Sequence, residues 1–163
     1  MSSAHQNLSS EKMVNAGSID HFHFTVIVAE WNREITSALE RGCVETLLTN
    51  GADPQKIRVL SVPGSWELVS AASMAVRMNE THAVICIGVV VRGDTPHFDY
   101  ICQGVTQGLA NLCSDQTVPV VYGVLTVNNM QQAVDRCGGI HGNKGDEAAA
   151  TAIKMALLKQ SFQ

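Results

Sequence analysis

The run AVICIGVVV, Ala83–Val91, limits what this chain can fold into more than any other stretch. It is nine consecutive uncharged residues, mostly β-branched. A strand with one face in water alternates apolar and polar residues, whereas an unbroken apolar run is covered on both faces. FHFTVIVA (Phe22–Ala29), IRVLSV (Ile57–Val62) and VPVVYGVLT (Val118–Thr126) also read as strands. Strands of this kind belong to a parallel sheet with helices on each side.

The intervening segments supply the helices. After Asn32, a candidate cap, Ile35, Leu39, Cys43 and Leu47 recur every four residues, and Gly51 stands where a left-handed residue ends a helix. Further helices are predicted from about Trp66 to Met78, from about Phe98 to Cys113, from an Asn128 cap to Cys137, and over Asp146–Gln160 after a Gly-rich turn. The order β-α-β-α-β-α-β-α-α describes one three-layer α/β/α domain over residues 21–163 with a mainly parallel four-stranded sheet. Residues 1–20, polar and without an apolar core, read as a flexible arm rather than a signal peptide.

Composition narrows the function. Only 16% of the residues are charged, 45% are hydrophobic, and the net charge is −4, without a basic cluster, so nucleic acid is not an expected partner. No apolar segment is long enough to span a bilayer. The five cysteines are odd in number and form no CxxC, which fits free thiols in a reducing, cytoplasmic compartment. His21 and His23 lack the further ligands that a zinc site needs, so no metal is expected.

In an open parallel sheet the carboxyl ends of the strands share one edge, where ligands bind. Here Glu30, Trp31 and Asn32 follow the first strand. Pro63 to Glu67 follow the second, Arg92 to His97 the third, and Thr126, Asn128 and Asn129 the fourth. Any strand must end in a polar turn, which accounts for Gly, Pro and Asn. It does not account for two Trp, an Arg and a His gathered at one edge. Trp31 and Trp66 offer faces for a heteroaromatic ring, and Glu67 with the backbone at Ser65 can bind hydroxyls. Gly93, Asp94 and Thr95 form an anion nest at a helix start, and His97 can carry a proton. No GxGxxG, P-loop or GxSxG motif is present. These groups suit a phosphate-bearing substrate and an aromatic one without naming a reaction.

Five ordered blocks, AEWN, VPGSWEL, GVVVRGDTPHFDYI, PVVYGVLT and DRCGGIHGNKGDEAA, closely resemble the lumazine synthase family of riboflavin biosynthesis over about Phe22 to Leu158. The resemblance implies a flavodoxin-like sandwich assembled into pentamers, with sites between adjacent subunits. The implied reaction condenses 5-amino-6-(D-ribitylamino)uracil with 3,4-dihydroxy-2-butanone 4-phosphate, without a cofactor, to give 6,7-dimethyl-8-ribityllumazine, phosphate and water. Residue by residue it implies Trp31 under the uracil ring and Ser65, Trp66 and Glu67 on the ribityl chain. Val89, Val90 and Val91 would read the pyrimidine edge, and Asp94 and Thr95 would cradle the phosphate. Arg136 would pair with that phosphate, with Lys144 adding positive potential. His97 would be the acid/base residue, and Tyr122 an aromatic inserted by a neighbouring subunit.

Some members of the family stack twelve pentamers into a 60-mer shell. The short turn CGGIHGNKG favours that form, in which the arm would add along a neighbour's sheet edge at Phe22–Val28 or just before. Riboflavin synthase is a candidate partner. Trp31 and Tyr122 stand where the family often has Phe, which keeps an aromatic face. The alternative classes are a flavin- or pteridine-binding module without catalysis and a shell protein.

Overall fold

The computed structural model describes residues 7–10, 12–15, 17–77, 80–115 and 117–162. Residues 1–6, 11 and 16 of the expected arm, and the expected helix end at Met78, lie outside this set.

Four parallel strands form the central sheet: β1 (Phe24–Ala29), β2 (Ile57–Val62), β3 (Ala83–Val91) and β4 (Val120–Val127), in the spatial order β2-β1-β3-β4. β1 and β3 are interior, so the edges of the sheet are β2 and β4. β2 and β3 have the predicted bounds. β1 starts later than predicted because the Phe22 amide closes a turn by donating to the Ile19 carbonyl at 3.0 Å.

Side chains alternate between the two faces. Val26, Ile85, Ile87 and Leu125 meet α1 (Arg33–Thr49) and α5 (Lys144–Gln160), while Ile27, Val84, Cys86 and Val124 meet α2 (Glu67–Val76) and α3 (His97–Asp115). Each face is a separate core cluster, giving the three-layer α/β/α sandwich. α1 buries Ile35, Leu39, Cys43 and Leu47, as their spacing requires, and Gly51 follows its end with φ of 94°. α5 lays an alanine stripe on α1. The axes come so close there that Gly145 faces the Leu39 carbonyl with no room for a Cβ. Cys43 and Cys86 are fully buried, and burial pushes the Cys86 thiol up to about 12, so both behave as small apolar residues.

Two helix starts differ from expectation. Asn32 is the first residue before α1, but its side chain makes no capping bond. Its backbone is left-handed (φ 58°, ψ 49°), a conformation asparagine tolerates, and only its carbonyl serves the helix. The short α4 (Met130–Val134) is capped by Asn129, not Asn128. The extended backbone at Asn129 brings Oδ1 to the Gln132 amide at 3.0 Å, while Asn128 Oδ1 accepts from Arg92 Nε at 3.2 Å. α4 ends before Cys137 because that residue enters a two-stranded hairpin, β5 (Cys137–Gly139) with β6 (Gly142–Asn143), where a Gly-rich turn is expected from sequence.

Candidate active site

All four strands deliver their carboxyl ends to one edge, and backbone bonds hold those ends in register. The Glu30 amide donates to Val62 O at 2.8 Å, the Trp31 amide to Pro63 O at 3.2 Å, and the Arg92 amide to Val127 O at 2.9 Å. Between the starts of α2 and α3 these ends enclose a cleft of about 380 Å³, within the range of small-molecule sites.

Trp31, Ser65, Trp66, Glu67, Val89, Val90, Val91, Thr95 and His97 all line this cleft. Trp31 is 73% exposed and Trp66 54%, far more than structural tryptophans, so both rings are available to a ligand. The edge of the Trp66 indole rests on α3 at Gly104, where a Cβ would collide with the ring. Ser65 is buried, and its hydroxyl donates to Val89 O at 3.3 Å, tying the loop before α2 to the end of β3. Asp94 stands exposed on the rim between Gly93 and Thr95.

Sequence reasoning did not single out Phe98 and Ile101, which form the apolar wall on α3. Their three-residue spacing at a helix start was the available signal. It also did not read the Arg92 clamp. The guanidinium donates to Asp99 twice, at 2.9 and 3.3 Å, and lies 4.1 Å over the Phe98 ring. This clamp closes the loop that carries Thr95 and His97 and engages the Arg92 guanidinium.

The other expected groups lie apart from this cleft. Tyr122 pairs with Cys86 in the lower half of the sheet. Its phenol is half-buried and shares a 3.0 Å hydrogen bond with the Thr106 hydroxyl, and burial holds its pKa above the ordinary value. Arg136 follows α4 and donates from Nη1 to Gln132 O at 3.0 Å. Lys144 opens α5, paired with Glu147 at 2.5 Å. The Lys144 amide donates to Arg136 O at 2.8 Å, so the two cations flank the β5–β6 hairpin, which packs on α1. No lysine or arginine is among the described residues lining the cleft. Nor do three or more of the described His, Cys, Asp or Glu gather in a group able to hold a metal ion.

A family model described as 6,7-dimethyl-8-ribityllumazine synthase matches residues 21–160. The chain belongs to this family. A relative from Porphyromonas gingivalis with the same name is 50% identical over 160 residues, 98% of this chain and 99% of the relative. One from Phocaeicola vulgatus is 47% identical over 163 residues, 100% of this chain and 97% of its own. A Bacteroides fragilis member is 53% identical over 132 residues, 81% of this chain and 92% of its own. The family match therefore spans the sheet, the cleft and both cations beside the hairpin.

Proposed function

We propose that the cleft between α2 and α3 is where this chain carries out the condensation that defines its family. The reaction joins 5-amino-6-(D-ribitylamino)uracil to 3,4-dihydroxy-2-butanone 4-phosphate and releases phosphate and water. Trp31 stacks under the uracil ring, the backbone of Val89, Val90 and Val91 reads its polar edge, and Ser65, Trp66 and Glu67 hold the ribityl chain. Thr95 with Asp94 cradles the phosphate. His97 moves protons during imine formation and elimination. An amine and a ketone are intrinsically reactive, so positioning supplies much of the acceleration.

One observation carries the second half of the proposal. Gly93 and Thr95 of the expected anion nest line the cleft, but among the described residues no lysine or arginine does, because Arg92 is clamped by Asp99 and Arg136 lies beyond it. A dianionic phosphate held in a cleft needs a charged partner. A second copy of the chain supplies Arg136, together with Lys144 and Tyr122, so that each site lies between two chains. A closed pentamer, free or in a 60-mer shell, meets this requirement. A reducing cytoplasmic setting is supported by the buried free thiols of Cys43 and Cys86. Riboflavin synthase is a partner to test in the same setting, because it would use the product.

The deciding experiment mixes the two substrates with the purified protein and follows lumazine fluorescence. Product forms faster than in the protein-free mixture if the reading is right, and at the same rate if the protein only binds the ring. His97→Ala is expected to slow turnover by at most about 10²–10⁴, the usual range for acid/base help. Arg136→Ala is expected to raise KM for the butanone phosphate with little change for the pyrimidine.

A further inference from the structure

The β5–β6 hairpin has little internal reason to hold its shape. Its strands are three and two residues long, and its pairing is irregular between Cys137 and Gly139. Two-stranded ribbons are marginal alone, and Gly138 and Gly142 both have positive φ, 124° and 78°. What the hairpin touches must therefore fix it. On one side that is α1, where Asn143 Nδ2 donates to Ala38 O at 3.0 Å.

On the other side it is the start of the chain. The Leu8 amide donates to His141 O at 2.8 Å, and the Asn143 amide donates to the Ser9 hydroxyl at 3.0 Å. Asn7 and Ser9 lie against Gly142 so closely that a Cβ there would strike both. This stretch is itself folded into a turn, with Asn7 Oδ1 accepting from the Ser9 amide at 2.8 Å. It is also anchored further on. Lys12 Nζ lies 3.5 Å from the buried Asp146 carboxylate, and Asn50 Nδ2 donates to Lys12 O at 2.8 Å. The hairpin is thus clasped between α1 and the N-terminal segment, and Arg136 and Lys144 are joined at its base by their 2.8 Å backbone bond.

We propose that residues 7–10 and 12 form a strap that positions Arg136 for the phosphate by pinning the β5–β6 hairpin. Leu8 and Ser9 are then positioning residues for the phosphate-bearing substrate, although neither reaches it. The proposal rests on the reading of Arg136 as that phosphate's partner.

The test uses the full chain carrying Leu8→Pro, which removes the donor to His141, together with Ser9→Ala, which removes the acceptor for Asn143. Ser9→Thr, which keeps the hydroxyl, is the rescue control. Hydrogen exchange at Gly138–Asn143 is expected to quicken while exchange in the central sheet holds. KM for the butanone phosphate and the inhibition constant of inorganic phosphate should rise about threefold to tenfold, part of what the two neutral hydrogen bonds removed are worth. KM for the pyrimidine should stay within error, and Ser9→Thr alone should behave as the parent.

Unchanged hairpin exchange, unchanged phosphate affinity, or an equal rise in both KM values would overturn the proposal. Arg136→Ala, measured alongside, separates the two levels. If it weakens phosphate while the strap variant does not, only the strap fails. If it leaves phosphate affinity unchanged, the reading of Arg136 fails and takes the strap's role with it.

Discussion

At the scale of single residues, the cleft depends on atoms that are absent as much as on those present. Gly104 gives the Trp66 indole a seat on α3. Gly104→Ala forces the ring to turn away, which should shift tryptophan emission and raise KM for the pyrimidine with little change for the phosphate substrate. His82 acts at the opposite edge of the sheet. Its Nδ1 accepts from the His23 amide at 3.0 Å, while its own amide donates to His23 O at 2.8 Å. Burial, with help from His23, Lys159, His21 and Lys56, holds the His82 pKa below its ordinary value. Asp20, paired with His21 at 3.5 Å, completes the charged surroundings. The unfolded chain therefore takes up this proton first. Stability is whole above about pH 6.5 and is lost as the pH falls from there towards the folded value. The melting temperature should drop across that window. His82→Asn, whose carbonyl can still accept the bond but does not titrate, should flatten the drop.

At the scale of elements, the tightest constraint is the crossing of α1 and α5. A Cβ at Gly145 would drive into the Leu39 carbonyl, which as backbone cannot turn aside. Gly145→Ala should cost about 1–3 kcal/mol, and thermal melts should show it as a drop of roughly 2–4 °C for each kcal/mol in a chain of this length. The elements read most surely from sequence are those whose signal is burial itself. Ala83–Val91 is a strand within its predicted limits because a continuous apolar run leaves no other place for it. Ile57–Val62, an edge strand with Arg58 and Ser61 exposed, is set by its β-branched residues and its pairing with β1. The hairpin went unread because strands of three and two residues, CGG and GN, are too short to carry a hydrophobic period. Choosing between Asn128 and Asn129 as a cap was beyond composition, since both are asparagine and they differ in their contacts, Arg92 for the first and the Gln132 amide for the second. For the site, one-edge reasoning gathered the tryptophans, the β3 end, Thr95 and His97 because strand ends alone decide that placement. It could not bring Arg136 to the same cleft, because within one chain the hairpin sends that residue to the α1 side.

For the whole molecule, the question is how many chains a site needs. His97 and Arg136 belong to opposite faces of the sheet, so under the shared-site reading each chain offers half of two sites. His97→Ala and Arg136→Ala chains, unfolded together and reassembled in equal amounts, should show more activity at low butanone phosphate than either variant alone. Random neighbours in a closed ring leave about a quarter of the sites with both groups intact. No recovery would mean that each chain works on its own groups. β3 has a last consequence for this molecule. It begins just after His82 and ends just before the loop to His97, so one rigid strand, about 30 Å long at ~3.3 Å per residue, separates two imidazoles with different duties. In ring-proton NMR, a titration with substrate should move the His97 signals and leave those of His82 still, while mild acid should bring His82 into play. One sample would then carry its own reporter of occupancy and its own reporter of fold.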